Sequence, residues 1–145
     1  MAEQKKKKKP MFKKKKKNLA KAASKPVRDG MPSQWYYLAA EKITVAEIRD
    51  AIADEKYDIE IWKDAGVLTA VVGEKQNLDM EEREPSFGNE ADDAFLKEQG
   101  AKVLYDITIT PGSYAASEKI FRKIVEGCGG MICADTEDFM PRIER

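Results

Sequence analysis

Residues 103–134, VLYDITITPGSYAASEKIFRKIVEGCGGMICA, read as a strand, a helix and a strand in succession. Val103, Tyr105, Ile107 and Ile109 alternate with Leu104, Asp106, Thr108 and Thr110, the period of an extended segment. Pro111-Gly112 turns the chain, and Ser113 is a suitable N-cap for a helix whose Ile120, Phe121, Ile124 and Val125 form one apolar stripe. Gly127, Gly129 and Gly130 read as the C-cap and turn that end it, before a short strand at Met131–Ala134.

Outward from this unit the same signals recur. Trp35 to Ala39 is aromatic and apolar, as a strand would be. Thr44 and Glu47 have the spacing of a capping box, in which each side chain satisfies a free amide at a helix start. Val45, Ile48, Ala51 and Ile52 follow on one helical face. Tyr57–Trp62 and Val67–Val72 flank Asp64-Ala65-Gly66 and read as a hairpin. Gly73 to Asn89 has no clear period, many acids and Pro85, so a long irregular loop is expected; loops of that length are commonly functional. A short helix is predicted from Glu90 to Glu98, closed by Gly100. Strand, helix, strand, strand, short helix, strand, helix, strand predicts an α+β fold: a ferredoxin-like two-layer sandwich, its sheet mainly antiparallel, with the helices on one face.

The charge is divided as sharply as the pattern. The chain has 26 Lys and Arg against 26 Asp and Glu, but residues 1–30 carry thirteen basic and two acidic side chains, a net +11, and the rest of the chain carries −11. Residues 1–33 are therefore expected to be a disordered lysine-rich arm and linker, and residues 34–145 a single acidic α+β domain. Cys128 and Cys133 are too few for a disulfide scaffold, which points to a reducing, cytoplasmic setting. No run of residues has the length and apolarity of a membrane span, and the lysines are not followed by the apolar stretch of a secretory signal.

Several chemistries lose their usual residues. The chain contains no histidine, so imidazole-activated nucleophiles, imidazole bases and the commonest soft-metal ligand are excluded. Two cysteines without histidine do not complete a zinc set, and burial of both thiols in a core is expected. The three glycines after the helix stand on the wrong side of it for a phosphate loop, and Pro111-Gly112-Ser113 lacks the lysine such a loop uses. Neither a cofactor nor a metal is expected. Asp106 and Asp135 are carboxylates that acid–base chemistry could use, although no reaction suggests itself.

The remaining candidates are surfaces. Acids cluster at Asp79, Glu81, Glu82 and Glu84, at Glu90, Asp92 and Asp93, and at Asp135, Glu137 and Asp138. None of these follows the order of a calcium loop; they read as a solvated surface or as one that meets a basic protein partner. In the hairpin, Glu60 and Trp62 share one side of their strand, with Asp106 and Thr108 on the matching side of theirs. RNA-binding sheets pair stacking rings with basic residues, whereas here the neighbours are acidic, so Trp62 reads as a protein-contact anchor or as part of a packing layer. The expected partner-binding set is thus Trp62, Glu60, Glu81, Glu82, Glu84, Asp135, Glu137 and Asp138.

Lys5, Lys6, Lys7, Lys8 and Lys9, with Lys13, Lys14, Lys15, Lys16 and Lys17, form the polyanion-binding candidate, because lysine runs displace counterions from phosphates without reading sequence. Met11-Phe12 between the runs also permits contact with an anionic membrane, a minor reading. A solubilising tail, an intramolecular tether and a start at Met11 or Met31 are the bland alternatives. The expected function is that of a small non-enzymatic binding or regulatory protein of the inhibitor or immunity type. A nucleic-acid-associated protein acting through its arm is the alternative.

Overall fold

The computed structural model describes residues 30–54 and 57–145. Along the chain they form β1 (Gln34–Ala39), α1 (Val45–Ile52), β2 (Asp58–Trp62), a single 3₁₀ turn (Lys63–Ala65), β3 (Val67–Gly73), β4 (Gln76–Arg83), α2 (Glu90–Glu98), β5 (Val103–Ile109), α3 (Tyr114–Cys128), β6 (Met131–Ala134) and β7 (Arg142–Glu144). The ten lysines proposed for polyanion binding lie outside the described residues.

The fold is mixed α+β, with three helices and one seven-stranded sheet among the described residues. The strand order is β2-β3-β4-β5-β1-β6-β7, and every neighbouring pair is antiparallel. β1 lies between β5 and β6, so the β5-α3-β6 unit straddles it.

Side-chain alternation divides the sheet into two sides. On one, Trp35 and Tyr37 of β1, Leu68 and Ala70 of β3, Leu78 and Met80 of β4, and Tyr105 and Ile107 of β5 join the apolar stripes of α1 and α3 in the main core. Trp35 stacks on Tyr114 at 5.4 Å and meets Phe121 at 5.2 Å, which fixes α3 over β1. Two buried phenols find carbonyls: Tyr37 donates to Gly129 at 2.8 Å and Tyr105 to Ile43 at 2.7 Å. The Thr44–Glu47 capping box forms as expected and starts α1.

Four features depart from the sequence reading. The stretch expected as an irregular loop contains β4, held between β3 and β5; Leu78 and Met80 are its only two buried side chains. Gly127 does not end α3, which runs on to Cys128; a Cβ there would meet the Ala51 Cβ at 2.8 Å, so this glycine lets α1 and α3 approach. The cap is Gly129, with φ 80°. The helices also do not share one face. Leu96 of α2 packs with Leu38, Leu104, Met131 and Cys133, the alternate side chains of the central strands, and with Phe139 of the β6–β7 connection, so α2 covers the side opposite α1 and α3. β7, unanticipated, pairs with β6 and buries Ile143.

No helix among the described residues is long and apolar enough to cross a membrane.

Candidate functional site

The side of the sheet that carries α2 is covered over only part of its width. Over β1 and β6, Tyr36, Phe87, Phe95 and Phe139 form an aromatic cluster in which Phe95 stacks on Phe139 at 4.3 Å. The Arg142 guanidinium lies 4.9 Å from the centre of the Phe95 ring. Asp93 holds the approach to α2 by accepting from the Phe87 amide at 2.6 Å and the Ser86 hydroxyl at 3.1 Å. Asn89 caps the helix by accepting from the Asp92 amide at 2.8 Å. The second acidic cluster of the sequence thus supports a helix start, where carboxylates are favoured by the helix dipole.

Over β2, β3 and β4 the same side is open. Its side chains stand in rows set by the register. One row runs Trp62, Val67, Glu81, Asp106, Tyr36, Cys133 and Arg142 across all seven strands. The next runs Glu60, Thr69, Asp79, Thr108 and Gln34, and a third holds Asp58, Val71 and Asn77. Trp62 is 50 % exposed and Val71 41 %. Asp58, Glu60, Asp79 and Glu81 surround them, and none of the four makes an ion pair among the described residues.

Asp106 sits at the boundary between the open and covered parts and is paired with Arg83 at 3.2 Å. Burial against the sheet raises its pKa, while Arg83 opposes the shift. Burial also raises the pKa of Asp79, which a hydrogen bond from Thr69 opposes. Tyr36, between Asp106 and Asp135, is pushed strongly upward by burial and then by the two carboxylates; its hydroxyl donates to Asp135. The carboxylates singled out for acid–base chemistry are therefore gathered around one phenol that stays protonated.

The eight expected partner-binding residues fall in three places. Trp62, Glu60 and Glu81 come together on the open area, joined by Asp58 and Asp79. Glu82, one residue on from Glu81, belongs to the helix-covered side, pairs with Lys42 at 3.4 Å and packs over Gly66. Glu84 lines a depression of about 390 Å³ with Lys42, Lys63, Asp64 and Lys102, so that corner is of mixed charge. Asp135, Glu137 and Asp138 lie in the β6–β7 connection across the sheet. There Asp138 accepts from the Met140 amide and the Thr136 hydroxyl, both at 3.1 Å, and its carboxylate shapes the turn.

Sequence reasoning missed Asp79 and Asp58 as members of the open area. The alternation Leu78, Asp79, Met80, Glu81 was the available signal for Asp79. No protein-family model, curated protein or solved structure matches the chain.

Proposed function

We propose that this is a non-enzymatic binding or regulatory protein whose open, acidic sheet surface contacts a protein with a basic surface, in the manner of an inhibitor that masks a cationic site. One observation carries the reading: a half-exposed Trp62 stands among four carboxylates, Asp58, Glu60, Asp79 and Glu81, that have no ion-pair partner among the described residues. A large amphipathic ring gives an anchor that water leaves readily, and the surrounding charge accelerates encounter and rejects acidic competitors. Behind this lies a finer reading of the fold. The four strands β6-β1-β5-β4 are taken as a ferredoxin-like core, widened at the β4 edge by the β2–β3 hairpin, and the widening supplies the open surface.

The test is affinity capture by the full chain followed by carboxylate-to-lysine cross-linking. A partner bound specifically is expected to cross-link to Glu60, Asp79 or Glu81 and to be lost with Glu60→Lys, while Glu84→Lys keeps it. A specific partner retained at full strength by Glu60→Lys and Trp62→Ala together would refute the proposal.

The segregation of +11 into the first 30 residues favours a second reading, nonspecific nucleic-acid binding through Lys5–Lys9 and Lys13–Lys17. Binding to duplex DNA that weakens with a log–log salt slope of about −0.9 per phosphate contacted, and that is unaffected by Glu60→Lys, would support it.

A further inference from the structure

β2 is the outermost strand of the sheet among the described residues, and the apolar layer beneath it is unfinished. On the helix-covered side, Leu68 and Ala70 of β3 and Leu78 of β4 are wholly buried, whereas Ile59 and Ile61 of β2 are only partly buried. On the open side the same strand presents Asp58, Glu60 and Trp62, all exposed. An edge strand also leaves one row of backbone amides and carbonyls unpaired, a template for one more strand.

We infer that the outer edge of β2, unpaired among the described residues, receives an extended segment of a partner protein as an additional strand, one in which basic and apolar residues alternate. This inference rests on the acidic-surface reading proposed above. Alternation follows from the two sides of β2: side chains next to Asp58 and Glu60 must be cationic, and those next to Ile59 and Ile61 must be apolar to complete the layer. The same geometry selects against a second copy of this chain. Antiparallel pairing of β2 with itself sets the carboxylates of one copy near those of the other, and like charges across strands are unfavourable. The carboxylates thus close the edge to self-association and leave it open to a cationic strand.

The probe is a pair of end-blocked octapeptides of the same composition, one with lysine and valine alternating and one with four lysines followed by four valines, titrated into the full-length protein at low ionic strength. The alternating peptide is expected to bind at least about tenfold more tightly than its block isomer. It should slow amide hydrogen exchange across Asp58–Trp62 without slowing that of α2, and Glu60→Lys should reduce its affinity about tenfold. Equal binding of the two peptides, weakened alike by Glu60→Lys, would overturn strand addition and leave the acidic-surface reading intact. Binding of neither would overturn both. β2 amides already protected in the free protein, or a concentration-dependent dimer abolished by Glu60→Lys, would show the edge filled by this protein itself and would also overturn the inference.

Discussion

The two sides of the sheet are made by the same alternating strands, yet one is sealed from β3 to β6 and the other is closed over a smaller part of its width. Under α1 and α3 every strand from β3 to β6 contributes side chains with almost no exposure. Under α2 the buried apolar side chains stop at β5, where Leu104 is followed by Asp106 and Thr108; beyond it β4 and β2 show carboxylates, and β3 between them shows Val67, Thr69 and Val71. The helix-covered side can therefore supply most of the fold's stability. The other side has residues to spare for contact.

This contrast is most directly attacked at Phe121, which fills the space between α3 and Trp35. Phe121→Ala is expected to destabilise by about 3–5 kcal/mol in denaturant unfolding, the range for a large buried aromatic. A loss under about 1 kcal/mol would mean that the sealed side is not the main source of stability. Leu96→Ala, on the smaller core under α2, should lose about 2 kcal/mol, near the low end for a buried leucine, and should speed hydrogen exchange in α2 more than in α3. Equal acceleration in both helices would show the two sides to be one cooperative unit.

Substitutions on the open area should barely move stability. Trp62→Ala is expected to stay within about 0.5 kcal/mol of the parent while abolishing capture of the partner; a larger loss would place Trp62 in a packing layer. Asp79→Asn should give the smallest effect and the most informative sign. The pKa of Asp79 is raised in the fold, so its ionised form is disfavoured there relative to the unfolded chain. Removing the charge should raise the melting temperature slightly at neutral pH. That advantage should shrink as pH falls through the raised pKa toward the ordinary carboxylate range, where the parent protonates and recovers it. An advantage that grows on acidification would contradict the assignment.

What the sequence made legible follows from how much of each element is buried. α1 and α3 declare themselves through apolar stripes and, in α1, a capping box, and β5 through an unbroken alternation. β4 is held by its neighbours instead. Its two buried side chains, Leu78 and Met80, alternate with Asp79 and Glu81, acids of low strand propensity, and the turn before it uses Glu74-Lys75 with Lys75 at φ 55° in place of the usual glycine or asparagine. With β4 read as a loop, Asp79 and Glu81 could not be set beside Glu60 and Trp62. Half of the candidate surface was therefore visible as alternation in β2, and half was hidden in a tertiary pairing. The side chosen by α2 was equally hidden. Leu96 is its one buried residue, and the rings that receive it come from Tyr36, Phe87 and Phe139, spread along the chain.

The central position of β1 governs the order in which this chain can fold. Tyr37 pairs in register with Tyr105 on one edge of β1 and with Ile132 on the other, both late in the sequence. Neither edge can close until β5 has formed, and the second must wait for α3 and β6. Such long-range pairing carries a high loop-closure entropy and slows folding relative to helical or hairpin topologies. During synthesis β1 emerges well before both partners, with an aromatic, apolar strand exposed on two edges. The interval before β6 arrives is thus when the edges of β1 are most open to aggregation.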